Sequence, residues 1–315
     1  MSMIRLKPAF KDYIWGGDRL KKEFGKGYDG EVLAETWELS VHPDGPSFVE
    51  GGEFGGMAFP DYLKKGGPQI LGENCRRFSV FPILAKFIDA KQKLSLQVHP
   101  GDDYALENED QLGKSEWWYI VDAEPGSGIY YGLKQAMPPG EFLRQARDGA
   151  LEEALCFVPV KKGESYFIPA GTLHAIGPGV LVVEIQENSN VTYRVCDFGR
   201  LGSDGKPRPL HIDKALDVAD LSGSRPEYDF GNHAACCRYF TVDEVMIDGE
   251  EEIFVGRDSF CSLIFTAGSG EIECGGDVRP YMKGDSIFIE AGSGQVLLRG
   301  SGHVLKTTVP GEDEQ

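Results

Sequence analysis

The chain has 315 residues, of which 41% are hydrophobic, enough for one large domain or two ordinary ones with a proper core. Its net charge of −18 at pH 7 argues against a nucleic-acid partner, because neutralising phosphates requires a basic surface. A small phosphorylated ligand is compatible with this charge, since it needs only a few local cations. No apolar run approaches the roughly 20 residues of a membrane-spanning helix, so we expect no membrane partner.

The beginning of the chain and its cysteines indicate where the protein works. The first residues, MSMIRLKPAFKDYIWGG, contain no apolar stretch typical of a secretory signal. The seven cysteines are odd in number and show no Cys-x-x-Cys spacing, as expected for reduced thiols rather than a disulfide framework. We therefore expect a cytoplasmic protein that is a monomer or a weak homo-oligomer.

Short strands separated by turns dominate the predicted secondary structure. Forty-one glycines and eighteen prolines are spread along the chain, which is typical of many turns. In the first half of the chain, strands are predicted over residues 34–40, 79–89, 94–99, 116–121 and 129–132. More strands follow from Phe157 onward, and short helices are predicted near residues 61–65 and over 211–221. The pattern predicts an all-β fold.

A helical insertion is predicted at about residues 138–157, between two strands. Apolar residues such as Phe142, Ala146 and Leu151 recur there at helical spacing, after a pair of prolines. We interpret this segment as a packing and lid element and not as a carrier of catalytic groups.

An internal repeat relates residues 161–185 to residues 282–306. Both copies contain the pattern K-G-E/D-S-x-F-I-x-A-G. In the second copy Glu290 replaces Pro169, and no histidine follows at the position of His174. We therefore expect two related barrels: a working one over residues 1–222 and a degenerate one over residues 223–315.

Four side chains form a candidate metal site. Strand alternation in the stretch LSLQVH places Gln97 and His99 on the same face, two residues apart. Glu116 begins the next strand, EWWYIV, and His174 follows a Pro-x-Gly turn. Imidazole, amide and carboxylate groups together are a plausible closed ligand set for a transition metal.

The segment from Gly163 to His174 reads Gly-x5-Pro-x-Gly-x2-His and resembles the second signature of the cupin family. This resemblance implies two cupin-like jelly-roll β-barrels with a helical insertion and short connecting helices. The first cupin signature normally begins with His-x-His, whereas this chain has Gln97-x-His99.

That departure is itself informative, because Gln-x-His-Pro, Lys-x-Glu and Gly-Thr-x-His-Ala are together similar to the type I mannose-6-phosphate isomerases. The stretch Ala34-Glu35-Thr36-Trp37-Glu38 and the pair Tyr193-Arg194 match the family as well. The resemblance extends over residues 7–216 and looks like the compact bacterial branch. The last ninety or so residues match weakly.

The resemblance implies that Gln97, His99, Glu116 and His174 bind one zinc ion per chain. These ligands bring one negative charge, so a divalent ion stays electrophilic and should keep an open position for substrate or water. The same nitrogen and oxygen ligands also suit iron, cobalt or manganese.

The reaction implied is the interconversion of mannose 6-phosphate and fructose 6-phosphate through a cis-enediol(ate). Arg194 and Lys114 match catalytic residues of the family, Arg194 for enediolate charge and Lys114 for proton transfer. Asn190 stands where some family members have an aspartate, so the general base is unassigned, with Glu184 and Glu187 as candidates.

The sugar phosphate should be held by cations and hydroxyls some distance from the metal. Ser95 faces the same side as Gln97, and Lys86 interrupts an apolar strand. These two residues and Arg200 match phosphate-binding positions of the family.

Two other functions compete with this one. Another cupin-type sugar-phosphate isomerase would be expected to keep His-x-His. A non-catalytic sugar-phosphate-binding or regulatory protein on the same fold would not need the full ligand set and Arg194.

Overall fold

The structure is a computed structural model that describes residues 3–202, 205–224 and 226–314. Its strands are β1 (Met3–Lys7), β2 (Ala9–Lys11), β3 (Glu35–Leu39), β4 (Phe48–Glu50), β5 (Ile83–Ala90), β6 (Leu96–Val98), β7 (Glu116–Ala123), β8 (Gly128–Leu133), β9 (Leu155–Pro159), β10 (Ser165–Ile168), β11 (His174–Ile176), β12 (Val180–Glu187), β13 (Tyr193–Cys196), β14 (Ala235–Cys236), β15 (Thr241–Val255), β16 (Cys261–Cys274), β17 (Asp277–Met282), β18 (Ser286–Ile289) and β19 (Gly294–Thr308).

The helices are few and short. They are α1 (Arg19–Phe24), α2 (Phe59–Gly66), α3 (Asp102–Glu109), α4 (Pro139–Asp148) and α5 (Ile212–Val218). Single 3-10 turns lie at Pro68–Ile70, Glu73–Arg77, Leu151–Ala154 and Glu312–Glu314. The all-β prediction is confirmed, since the strands dominate.

The strands form three antiparallel sheets. A six-stranded sheet has the order β10-β7-β12-β5-β3-β2, and a five-stranded sheet has the order β13-β6-β11-β8-β9. An eight-stranded sheet has the order β14-β15-β19-β16-β18-β1-β4, with β17 paired to β16. The N-terminal strand β1 therefore lies in the sheet built mostly from the C-terminal part of the chain.

The six-stranded sheet is the central layer, because apolar clusters cover both of its faces. On one face Ile88 and Trp118 pack with Ile176 of the five-stranded sheet. On the other face Phe87 packs in a cluster that includes Phe288 of the eight-stranded sheet. Every residue of β5 and β12 is consequently buried. Burial on both faces explains why these strands read as apolar runs without alternation.

The outer face of the five-stranded sheet packs against α4 and α5. Val98 and Ala175 of that sheet lie in one cluster with Phe142 and Ala215 of the helices. The helical insertion is shorter than the predicted 138–157. Gly149 ends α4 in the left-handed region at a φ of 70°, and the last residues of the segment begin β9.

The two copies of the repeat share their local backbone. Gly163 and Gly284 both have positive φ, at 89° and 95°, just before the four-residue strands β10 and β18. Gly171 and Gly292 again have positive φ, at 88° and 77°, in the turn that follows. Both copies therefore make the same strand and turns, which glycine permits without strain.

Helix α3 lies inside the stretch that carries the candidate metal ligands and was not predicted. Its one buried residue is Ala105, so it has no apolar stripe from which a helix could be recognised. Asp110 ends the helix at a φ of 54°. No helix among the described residues is long and apolar enough to cross a bilayer.

Replacing Phe288 by alanine tests the apolar cluster between the central and the eight-stranded sheets. The side chain is fully buried, with ring centroids 5.1 Å from Phe59 and 5.2 Å from Phe260. We expect Phe288→Ala to lower the free energy of unfolding by about 3–5 kcal/mol, because it leaves a cavity between layers. Chemical denaturation gives this value.

Phe254→Ala is the matched control for that measurement, because Phe254 is 73% exposed. It should change the free energy of unfolding by less than about 0.5 kcal/mol. Equal effects of the two substitutions would contradict the layered packing.

Candidate active site

Strand pairing brings the predicted site residues together. In the five-stranded sheet, Gln97 of β6 lies opposite His174 of β11 on one side and Arg194 of β13 on the other. Glu116 begins β7 in the central sheet, opposite Ile168 of β10. The site therefore lies between two sheets, and each sheet contributes polar side chains to it.

Three of the four predicted metal ligands form one cluster. One ligand atom from each of His99, Glu116 and His174 lies within 4.8 Å of the others, and all three residues are buried. The two carboxylate oxygens of Glu116 are 3.6 Å from His99 Nε2 and 3.2 Å from His174 Nε2. The Gln97 amide nitrogen is 3.5 Å from His99 Nε2 and 3.3 Å from His174 Nε2.

Both histidines are oriented by backbone carbonyls. His99 Nδ1 lies 2.8 Å from the Val191 carbonyl and His174 Nδ1 lies 2.8 Å from the Thr172 carbonyl. An Nδ1–H that donates to a carbonyl leaves Nε2 with its lone pair, which is the form that binds a metal. Burial lowers the pKa of His174 to about 4 and that of His99 well below 6.5, so both imidazoles are neutral near neutral pH.

This donor set fits a metal cation. Glu116 Oε1 is buried without a hydrogen bond from any described residue, and it faces the unprotonated His174 Nε2. Two lone-pair acceptors at such short range are stabilised by a cation between them. Gln97, His99, Glu116 and His174 are the residues that would hold it.

Two lysines and two glutamates surround the ligands in a buried charge cluster. The Lys114 ammonium contacts the Glu116 carboxylate and lies 3.5 Å from Glu184 Oε1. Lys86 lies 2.9 Å from Glu184 Oε1 and 3.7 Å from Glu35 Oε2. Burial alone would raise the pKa of Glu184, but the ammonium groups of Lys114 and Lys86 lower it below the usual range of a glutamate, so Glu184 is ionised.

A cavity of about 260 Å³ opens on this cluster. Of the predicted site residues, five contribute to its lining: Lys86, Ser95, Gln97, Lys114 and Arg194. Asn190 and Thr192 line it too, whereas Val191, Tyr193 and Val195 lie in the core, as the strand alternation predicts. Of the two candidate bases, Glu184 lines the cavity, while Glu187 is not among the lining residues.

Arg200 is placed differently from the other predicted residues. Its guanidinium binds the Asp197 carboxylate and the Lys93 carbonyl, and it is not part of the cavity lining. Arg208, which we did not predict, lines the cavity and binds the same carboxylate.

Tyr13, Glu35 and His211 also line the cavity and were not predicted as site residues. The sequence could have identified Glu35, because it is a charged residue at the start of the predicted strand ETWEL, where it is buried. The loop residues had no such signal, since nothing in their local sequence shows which side chains reach a cavity.

A second buried carboxyl group supports the segment that carries Lys114 and Glu116. Glu187 Oε1 accepts a hydrogen bond of 2.7 Å from the Ser115 backbone N–H. Burial and the neighbouring Asp102 raise the pKa of Glu187 to about 8, so this side chain keeps its proton at neutral pH.

Removal of one histidine should remove the metal. We expect His99→Ala to weaken metal binding by more than the 10- to 100-fold (about 1.4–2.7 kcal/mol) that loss of a ligand's supporting partner costs. Metal analysis after dialysis should find a bound ion in the wild type and little in the variant. His233→Ala is the matched control, because His233 is half-exposed and pairs with Asp243 elsewhere. Stoichiometric metal in His99→Ala would contradict the assignment.

Glu187 should make stability fall at high pH. Below pH 4.5, the ordinary pKa of a glutamate, Glu187 is protonated in both the folded and the unfolded protein. As the pH rises from there toward 8, only the unfolded protein releases this proton. Stability contributed by the group is therefore lost as pH rises, by about 1.4 kcal/mol per pKa unit, or about 3–5 kcal/mol in all. Glu187→Gln should lack this loss.

Urea unfolding of metal-free protein at about pH 5 and about pH 9 measures this dependence. Glu53→Gln, at an exposed position, should keep the wild-type dependence. If Glu187→Gln and the wild type lose stability in parallel, the raised pKa is refuted.

Family models and known proteins were compared with the chain. The model of the catalytic domain of type I phosphomannose isomerase matches residues 3–117, and that of the mannose-6-phosphate isomerase cupin domain matches residues 231–309. Mannose-6-phosphate isomerase ManA of Bacillus subtilis is 34% identical over 93% of this chain and 95% of its own length. A mannose-6-phosphate isomerase of Streptococcus mutans is 42% identical over 66% of this chain and 65% of its own.

Solved structures agree with these sequence matches. The crystal structure of the mannose 6-phosphate isomerase from Bacillus subtilis superposes with a TM-score of 0.90, at 34% identity. It covers 98% of this chain and 99% of the other. Identity over nearly the full length of both chains, together with a matching fold, shows that the chain belongs to the type I mannose-6-phosphate isomerase family.

Proposed function

We propose that this protein interconverts mannose 6-phosphate and fructose 6-phosphate; its similarity to proteins named mannose-6-phosphate isomerase supports the proposal. The observation that carries the proposal is a buried cluster of metal-ligand residues beside a cavity that Gln97, Lys114, Glu184 and Arg194 line. We include in the proposal a cytoplasmic location and a monomer or weak homo-oligomer.

Zinc is the ion that we propose, held by Gln97, His99, Glu116 and His174. Two neutral imidazoles, one amide and one carboxylate leave a divalent ion with a net positive charge. Zinc bound there supplies Lewis acidity to sugar oxygens, or orients the sugar, without any redox chemistry. For Gln97 to act as a ligand, its amide must present the oxygen and not the nitrogen to the two Nε2 atoms.

The groups of the chain itself perform the proton transfer. Isomerisation moves a proton between C2 and C1 of the sugar, so the barrier is the acidity of a C–H bond. Lys114 lies beside both the ligands and Glu184, and we assign it to proton transfer at the reacting carbons. Arg194 projects from β13 beside Gln97, where its permanent charge stabilises the enediolate without losing a proton.

Glu184 is the carboxylate best placed to accept a proton from substrate. It is buried and ionised, lines the cavity and accepts a 2.8 Å hydrogen bond from Trp118 Nε1. Glu187, in contrast, is bound to the Ser115 backbone. Ser95 and Lys86 line the same cavity and are proposed to contact the phosphorylated end of the sugar.

We propose that residues 1–222 are the catalytic unit and residues 223–315 a degenerate cupin-like unit. The fold adds a qualification to this division, because β1 and β4 pair within the sheet that contains the C-terminal strands. The two units therefore share a sheet, and we expect them to unfold together.

A coupled assay tests the proposed reaction. Purified protein should form fructose 6-phosphate from mannose 6-phosphate, and the rate should fall by at least about a hundredfold after chelation. Zinc should restore the rate, and parallel additions of manganese, cobalt and iron rank the metals. His99→Ala should be inactive under all conditions, whereas His233→Ala should behave like the wild type.

One outcome favours the competing function. Protein that carries stoichiometric metal and binds mannose 6-phosphate without turning it over would be a sugar-phosphate-binding protein. Turnover of glucose 6-phosphate in preference to mannose 6-phosphate would instead indicate a different sugar-phosphate isomerase.

A further inference from the structure

Two arginines share one carboxylate beside the cavity, and a third arginine lies near them. Asp197 follows β13 directly and is 6% exposed. Arg208 donates to both of its oxygens, from Nε at 2.6 Å and from Nη2 at 2.5 Å. Arg200 donates to Oδ1 from Nη2 at 2.5 Å. Arg194 lies near both arginines on the adjoining strand, and its pKa is lowered first by burial and then by the charge of Arg208.

Arg194 lacks an acidic partner in the described part of the chain. Its Nη1 donates to the Pro209 carbonyl at 3.0 Å, and its buried Nε has no hydrogen-bond partner there. Its backbone N–H and carbonyl are bound by His211, so the strand and the loop after Arg208 hold the guanidinium in place.

The positive charge at this end of the cavity is therefore unbalanced. Three guanidinium groups against one carboxylate give a local charge of +2 in a chain whose net charge is −18. Elsewhere in the lining each lysine has a carboxylate partner, since Lys86 pairs with Glu184 and Glu35, and Lys114 with Glu116. Lys86 can therefore donate a hydrogen bond to the phosphate but adds no net positive charge. A dianion is the ligand that this arrangement fits.

Of the two arginines on Asp197, only Arg208 is part of the cavity lining; Arg200 also donates to the Lys93 carbonyl. We propose that Arg208 binds the phosphate dianion of the substrate, with Asp197 as a positioning residue, while Arg194 keeps its proposed role at the enediolate. A guanidinium offers paired donors that match two phosphate oxygens. This inference deepens the proposed function and rests on it for the identity of the sugar.

The test compares phosphate affinity across arginine variants. Isothermal titration calorimetry with inorganic phosphate and with mannose 6-phosphate should show at least a tenfold loss of affinity for Arg208→Ala, as expected for a charged hydrogen bond. The phosphate affinity of Arg208→Lys, which keeps the charge but loses the paired donors, should lie between those of the wild type and Arg208→Ala. Bound metal should stay at the wild-type level, because Arg208 contacts none of the metal ligands.

The fold should tolerate this change, because Asp197 remains paired with Arg200 when Arg208 is removed. Arg144→Ala is the matched control: it removes the same charge from an arginine that is 63% exposed on α4. Wild-type phosphate affinity is expected for it. Arg200→Ala should weaken phosphate binding less than Arg208→Ala does.

Three results would overturn the assignment: unchanged phosphate affinity in Arg208→Ala, a larger loss in Arg200→Ala, or loss of the metal together with the phosphate. The test does not depend on turnover. If wild-type protein binds phosphate through Arg208 but forms no fructose 6-phosphate, the anion site stands and the isomerase function fails. Wild-type turnover with an unchanged KM in Arg208→Ala would mean that the isomerase function holds and that the assignment of Arg208 to the phosphate fails.

Discussion

The site depends on the register between three short neighbouring strands. Gln97 pairs with His174 on one side and with Arg194 on the other, so that two proposed metal ligands and a cation stand in one row across the sheet. Because side chains alternate, a slip of one residue in β6 would turn Gln97 away from the cavity. The apolar cluster on the opposite face, which includes Leu96 and Val98, makes such a slip costly. The packing of the outer helices thus sets the geometry of the polar face.

The buried charges form a chain of alternating sign between the sheets. Glu35, Lys86, Glu184, Lys114 and Glu116 follow one another through contacts. Removing one member of such a set leaves a buried charge uncompensated, which typically costs about 3–5 kcal/mol. A cation bound by Glu116 and the two histidines adds positive charge beside Lys114. Metal binding and the position of the Lys114 ammonium are therefore coupled, because both cations contact the same carboxylate.

For residues on regular strands and tight turns, local patterns in the sequence were sufficient to predict which side chains lie close together. Alternation placed Gln97 with His99, and the Pro-x-Gly turn identified His174; the structure brings His99, His174 and Glu116 into one cluster. Lys86 was predicted from its match to a phosphate-binding position of the family, and it lines the cavity. Residues in loops carried no such information. Arg200 and Arg208 both lie between β13 and α5, and no local pattern there shows which of them lines the cavity. Helix α3 was not predicted because it buries only Ala105 and so shows no apolar periodicity.

The repeat shows how a fold element can persist after its chemistry is lost. Both copies keep the glycines with positive φ around a four-residue strand, because the turn geometry tolerates little else. In the second copy Gln295 occupies the position that corresponds to His174, and the strand packs into an apolar core instead. The four-residue strand of this copy, β18, pairs with β1 and β16, and its Phe288 lies in one apolar cluster with Phe87 of the central sheet. The second copy therefore covers the face of the central sheet that points away from the metal ligands. The two histidines lie instead between the central and the five-stranded sheets, and burial there keeps them neutral.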